Sequence, residues 1–383
     1  MSATPRTRRP GQITTPLGIS LLTLAITCTW AICFSAQEPA HAPLPDAIDA
    51  AVQQQINSYK VPGLSIAVTQ HGRIVFSKSY GWADLENQVR VTDETLFRIG
   101  SITKPITATA AMMLAQRGQL DLDASVQNYC RSFPGKPWPA TTRELLAHLG
   151  GIRGFKTVSG TSPELLSETH YEGVADTVAL FANEPLVDKP GARYEYSNYG
   201  YDLVGCALEG ASGKRFDDLL RTLIFSAAAM TATTIDNSYQ IIPRRSRNYT
   251  HAKDGSIRNA RCIDTSNRIP AAGLLSTADD MARFVLALES NKLLPVAQLR
   301  QMWTDQTTDQ GQRTGYGLGW MIHNHNGKPA VAHTGEQPGA STILYVMPNG
   351  NGSFAVLANT DAAGLWKLAD KLADLLDPPM NVR

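Results

Sequence analysis

Three short strings in this sequence hold residue types that can do chemistry together. The first is Ser101-Ile102-Thr103-Lys104. A serine and a lysine three apart on a helix share one face and are neighbours one turn apart. A serine hydroxyl is a poor nucleophile until a base takes its proton. A lysine is such a base when burial lowers its pKa, and a helix N-terminus favours negative charge developing on the serine oxygen. The second string is YEYSNYG, Tyr194 to Gly200, after Lys189-Pro190-Gly191. Tyr196 and Asn198, on a turn ahead of a helix, offer a phenol base and an amide donor. The third is His333-Thr334-Gly335 on a late strand, before Gln337-Pro338-Gly339. Each alone has an ordinary reading: a helix cap with a solvated lysine, a packed aromatic turn, an edge-strand triplet.

The flanking patterns say what must position these groups. Residues 37–46 are rich in Pro and Ala and read as a linker, followed by a helix from about Ala47 to Tyr59. Leu64 to Asp84 alternates apolar and polar residues on either side of His71-Gly72, which predicts a β-hairpin. Leu96 to Ile99 is a short apolar run leading into a helix from Ser101 to Arg117, with Gly118 as its C-cap. Pro105 stands near the start of that helix, where amide hydrogens are unpaired anyway. The middle, about Thr141 to Ser290, reads as mostly helical: RELLAHL, Pro163 to Asn183, SNYGYDLVGCALEGAS and ADDMARFVLALES. Strands return at the end, with turns at Asn326-Gly327 and Asn349-Gly350, and a helix from Ala362 to Leu376 closes the chain. The expected fold class is α/β (α+β). An antiparallel sheet is built from the two ends, about residues 43–100 and 290–383, and flanked by helices. A mostly helical part, about 101–289, is inserted between them. A site at the junction of two such units is where small-molecule pockets tend to lie.

In this order and with these flanks, the three strings resemble the serine β-lactamase and penicillin-binding-protein superfamily, whose S-x-x-K and K-T-G motifs do nucleophilic acyl transfer. The Y-x-N string points to the branch of class C β-lactamases and related esterases and D-peptidases. GWADLENQVRVTDETLFRIGSITK, PAAGLLSTADDMARF, GYGLGW and HTGEQPGASTILYVMP support the resemblance, which covers about Pro45 to Leu376. GQLDLDASVQNYCRSFPGK and TTRELLAHLGGIRGF are most similar to the mitochondrial serine β-lactamase-like proteins and their bacterial relatives. The resemblance implies that Ser101 is acylated, that Lys104 or Tyr196 or both act as base, and that Asn198 orients Lys104 and holds a substrate amide. It implies an oxyanion hole from the amides of Ser101 and Glu336, with His333, Thr334 and Gly335 lining the site. Such a hole is worth about 3–4 kcal/mol per donor. No metal or cofactor is implied. Position 333 is His where β-lactamases usually carry Lys, so the fixed charge for a substrate carboxylate is missing. Arg153, in GGIRGF, is the candidate substitute.

The expected activity is therefore hydrolysis, through an acyl-enzyme, of a small peptide amide, D-residues included, or a short ester. Two alternatives accompany it: a true β-lactamase, and a structural or binding protein with a retained pocket, since filament assembly is implied by the mitochondrial-type relatives. A formal net charge of +1 over 383 residues, with no basic run in the body, leaves no electrostatic footprint for nucleic acid. Arg6, Arg8 and Arg9 precede a charge-free run from Leu17 to Ala36, and Ala40-His41-Ala42 matches a cleavage site. Residues 1–42 are thus expected to be a signal peptide of an exported, periplasmic protein, with an uncleaved membrane tether or a mitochondrial transit peptide as alternatives. Association with further copies of the chain is left open. Beyond Cys28 and Cys33 in that segment, Cys130, Cys206 and Cys262 form no framework or metal knuckle. They are read as isolated small side chains, with one disulfide and a leftover thiol as the alternative. His323 and His325 share a strand face, but no further ligands can be placed from sequence. Asp121, Asp123, Asp279 and Asp280 read as helix-end residues.

Overall fold

The computed structural model describes residues 43–157, 162–348 and 352–378. The leader expected over residues 1–42 and the turn expected at Asn349-Gly350 lie outside the described residues. Helix α1 spans Leu44–Tyr59, starting three residues earlier than the pattern predicts. Pro45 stands in its first turn, where a missing amide hydrogen costs nothing. Strands β1 (Gly63–Gln70) and β2 (Arg73–Asp84) form the expected hairpin. His71 and Gly72 both take positive φ, 51° and 74°, the turn geometry that follows the twist of the strands. A short edge strand, β3 (Val89–Arg90), pairs with β2.

The last part of the chain supplies β4 (Met321–His325), β5 (Lys328–Gln337), β6 (Ala340–Met347) and β7 (Gly352–Ala358). Together they make one seven-stranded antiparallel sheet in the order β3-β2-β1-β7-β6-β5-β4. The chain's two ends meet at its centre, where Leu64 to Thr69 of β1 lie opposite Ala358 to Ser353 of β7. Asn326 and Gly327, at φ 51° and 81°, close the β4–β5 hairpin as predicted.

Four more helices matter here: α2 (Thr103–Gln116), α3 (Asn198–Ser212), α4 (Ala278–Glu289) and α5 (Leu365–Leu376). Both faces of the sheet are buried, so alternate residues feed two cores. Leu64, Ile66, Val356, Ile343 and Tyr345 pack with Ile48 and Val52 of α1 and Leu368 and Leu372 of α5. Ala67, Leu344, Ala355 and Leu357 face the other way, in one cluster with Ile106 of α2 and Phe284 and Val285 of α4. That inner cluster fixes the height of α2 above the sheet, and α2 carries the lysine.

The middle is less helical than its apolar pattern predicts. Pro163 to Asn183 is α-helical only over Val174–Val178, and RELLAHL only over Thr142–Leu146. Small strands at Thr234–Ile235 and Leu274–Ser276 assemble with Phe97–Arg98 into a second sheet. Long-range hydrogen bonds do there what a helix would do for its own backbone. Asn267 and Arg268 donate to the carbonyl of Glu164, and Arg268 also to that of Leu165. The reading of isolated cysteines is corrected too. Cys130 and Cys206 form a disulfide, tying α3 to a loop 76 residues earlier, and Cys262 is a free, exposed thiol. Among the described residues no helix is long and apolar enough to cross a membrane.

Candidate active site

Ser101 lies on a single 3-10 turn, Gly100–Ile102, that runs directly into α2. The expected helix is thus split, and the serine stands at its mouth. Gly100 has φ +52°, and a Cβ there would come within 3.0 Å of Gly335. A Cβ on Gly335 would strike the Ile99 carbonyl at 2.0 Å. Two facing glycines therefore let β5 touch the Ser101 turn. Thr342 Oγ1 donates to the same Ile99 carbonyl at 2.8 Å, pinning the turn to the sheet. The Glu336 amide is brought to this junction, 3.2 Å from where a Gly100 Cβ would stand. The Glu336 side chain accepts a hydrogen bond from Ser341 Oγ at 2.8 Å.

Lys104 is completely buried. Its Nζ reaches three oxygens: Ser101 Oγ at 3.0 Å, Asn198 Oδ1 at 2.8 Å and the Ala271 carbonyl at 3.2 Å. Burial pushes its pKa well below the ordinary lysine value. Asp202 opposes that shift and Arg268 reinforces it. Tyr196 stands beside Ser101 and Lys104, its ring 4.6 Å from Lys104 Nζ. Burial moves this phenol the other way, above the ordinary tyrosine value. A base pushed down and an acid pushed up flank one hydroxyl, the pattern that separates proton-acceptor and proton-donor roles.

Asn198 is the first residue of α3, and Ser197 caps that helix, accepting from the Gly200 amide at 2.9 Å. The Tyr-Ser-Asn turn is held from behind by His148, a residue the sequence reading passed over. His148 Nδ1 accepts from the Ser197 amide at 3.1 Å, and its ring is 4.3 Å from that of Tyr196. Burial keeps this histidine neutral.

A family model described as Beta-lactamase matches residues 48–376. The chain belongs to that family. The mouse (Mus musculus) serine beta-lactamase-like protein LACTB, mitochondrial, is 28% identical over 421 residues, covering 82% of this chain and 76% of that protein. A D-amino acid amidase from Ochrobactrum anthropi SV3, complexed with D-phenylalanine, superposes with a TM-score of 0.76 at 24% identity, covering 88% of this chain and 99% of that one. The octameric penicillin-binding protein homologue from Pyrococcus abyssi does so with 0.72 at 24%, covering 86% and 78%. At these identities the solved structures show the shared fold.

Of the two positions weighed for a charge on the substrate carboxylate, neither offers a free cation in this Beta-lactamase-family chain. His333 is buried, and its Nδ1–H donates to the Thr334 carbonyl at 2.7 Å. That fixes the tautomer, so Nε2 accepts from the Tyr316 hydroxyl at 2.8 Å. Burial and the nearby Lys104 push its pKa down to about 3. The ring is a neutral wall of the site beside the half-exposed Thr334. Arg153 is not a free receptor for a substrate carboxylate. Its guanidinium is paired with Glu184 and with Glu164 at 2.8 Å and lies 4.8 Å from the Tyr199 ring. Asp202 and Arg268, behind Lys104, were also missed. The Asp202 carboxyl oxygens are buried without a hydrogen-bond partner, and burial raises its pKa well above the usual range. The available signal was a lone acid inside the apolar run GYDLVGCAL and a lone arginine in NRIPAAGLL.

Proposed function

We propose that this chain is a serine hydrolase working through an acyl-enzyme on the amide of a small peptide, D-residues included, or on a short ester. The observation that carries the reading is the buried Lys104 amine 3.0 Å from Ser101 Oγ, its pKa depressed. Neutral Lys104 takes the Ser101 proton as Oγ attacks the substrate carbonyl carbon. The amides of Ser101 and Glu336 receive the oxyanion. Tyr196, protonated in the resting site, relays the proton to the departing amine or alcohol. Water then gives a proton to Lys104 as it attacks the acyl carbon; the C–Oγ bond breaks, the acid is released, and Lys104 returns that proton to Ser101 Oγ. Asn198 holds Lys104 in line and meets a substrate amide, while Thr334 and Gly335 form the strand wall.

Substrate class follows from charge. His333 is neutral and Arg153 is already paired, so neither presents a cation to a β-lactam carboxylate. Substrates without that carboxylate fit better, and the likeness to a D-amino acid amidase favours amides over esters. The Cys130–Cys206 disulfide supports an exported, periplasmic protein, because such bonds persist in oxidising compartments. The octameric homologue supports self-association, which size-exclusion chromatography tests; an elution volume of a monomer rejects it. The test of activity is a turnover panel of D- and L-aminoacyl anilides, a p-nitrophenyl ester and a cephalosporin, each against Ser101→Ala. Turnover of the anilides or the ester, silent in the Ala variant, is expected. Cephalosporin as the best substrate would overturn the class assignment.

A further inference from the structure

Edge strand β4 and the last helix α5 meet at a second cluster of chemically capable side chains, outside the site described above. His323 and His325 alternate along β4 and so project from one face. The ring of His323 lies 5.4 Å from that of Trp366 on α5 and 5.7 Å from that of Tyr345 on the sheet. Asp370 and Asp374 stand one turn apart on α5. One ligand-type atom from each of His323, His325 and Asp370 lies within 4.8 Å of the others. The ligand that sequence alone left unplaced beside the H-x-H pair is thus supplied by the terminal helix.

The orientation of His325 is the second observation. Its Nε2 lies 2.9 Å from Asp374 Oδ1. A carboxylate only accepts, so Nε2–H donates to Asp374, whose Oδ1 it shares with Asn326 Nδ2 (3.2 Å from Nε2), and Nδ1 is the ring nitrogen left for another partner. That Nδ1 faces Asp370, whose Oδ1 is 3.9 Å away. The separation is too long for a hydrogen bond. It is a little beyond the roughly 3.4 Å that two ligands at ~2.1 Å subtend on a tetrahedral ion. Asp374 is itself held by Asn326 Nδ2 at 2.8 Å. A carboxylate that fixes one imidazole nitrogen so that the other is presented is the usual outer support of a metal-binding histidine. The His325 side chain is 11% exposed and that of Asp370 is 59% exposed, so the cluster is shielded on the sheet side and open to entry from solvent.

We propose that His323, His325 and Asp370 bind a divalent first-row transition cation, zinc above all, as a clasp between the edge strand and the terminal helix. Two imidazoles and one carboxylate suit that class of ion, with water in the remaining position. The clasp fastens β4, the edge strand of the sheet among the described residues, bridged on its outer side at Met321 by Tyr316, a position that proteins protect.

The test uses the full chain without a histidine tag, stripped with a chelator. It is titrated with Zn2+ by calorimetry, and Tm is followed with and without Zn2+. Saturable binding and a higher Tm are expected, both lost in His323→Gln and in Asp370→Asn. Asp374→Asn, which keeps all three ligands, weakens binding by about 10- to 100-fold and leaves Ser101-dependent hydrolysis unchanged. Asp370 is exposed and its Asn replacement is isosteric, so that variant keeps the metal-free Tm of the parent. Absence of heat and of any Tm shift would overturn the proposal, as would zinc binding that survives in both ligand variants. In those cases His325 with Asp370 and Asp374 is an ion pair and nothing more.

Discussion

At the residue scale the site is a set of opposed pKa shifts around one hydroxyl. Lys104 is stripped of water and set among three oxygens, and the part-buried Tyr196 beside it is kept protonated. Replacing Lys104 by Met keeps length and apolar packing but removes the proposed base. A loss of about 10²- to 10⁴-fold in kcat/KM is expected, measured on whichever anilide or ester the parent turns over. In the parent, kcat/KM rises with pH as Lys104 loses its proton, with a midpoint well below the ordinary lysine value. His333 adds no inflection between pH 5 and pH 8, because its folded-state pKa is about 3. The same shift has a stability consequence. The unfolded chain binds a proton on this ring below the ordinary histidine value and the folded chain does not, so stability falls as pH drops from that value toward about 3. Urea unfolding across that window, compared with His333→Gln, reads the difference. Ser101, Lys104, Tyr196 and Asn198 were legible as motifs because local spacing carries them. His148, Asp202 and Arg268 were not, because their role comes from burial against residues distant in sequence. The pairing of Arg153 with Glu164 and Glu184 is of the same kind.

At the scale of elements, the hairpins were the most legible parts. His71-Gly72 and Asn326-Gly327 are local turn chemistry, and φ at all four residues is positive. The helices of the middle region were overread, since apolar spacing is satisfied equally by irregular backbone that borrows donors from Asn267 and Arg268. The disulfide was one of two open readings, because cysteine spacing alone does not place two Cα atoms 5.3 Å apart. It anchors α3, which carries Asn198 at its other end. Replacing Cys130 and Cys206 together by Ser is expected to cost about 2–4 kcal/mol of stability. The lower Tm of the double variant checks this. Parent protein treated with reductant, under conditions that leave the variant unchanged, should fall to the same value.

At the scale of the molecule, strands from the two ends of the chain make one sheet, and the serine turn is clamped between that sheet and α2. The sheet with flanking helices was legible because strand signals cluster at the two ends of the sequence. One pH-sensitive feature belongs to this scale. Glu289, at the end of α4, has a buried carboxyl oxygen without a hydrogen-bond partner, and burial raises its pKa to about 7. The folded state then holds a proton that the unfolded state has released, so stability falls as pH rises from the ordinary carboxylate range to about 7. Glu289→Gln should flatten that slope in urea unfolding curves. The central claim is that Ser101 is acylated with Lys104 as its base. Its most direct measurement is mass spectrometry of the protein quenched during turnover of its best panel substrate. A covalent acyl adduct on the peptide containing Ser101 is predicted, absent in Ser101→Ala and formed far more slowly in Lys104→Met. Full turnover by Ser101→Ala, or an adduct that forms as fast without the lysine, would contradict the account.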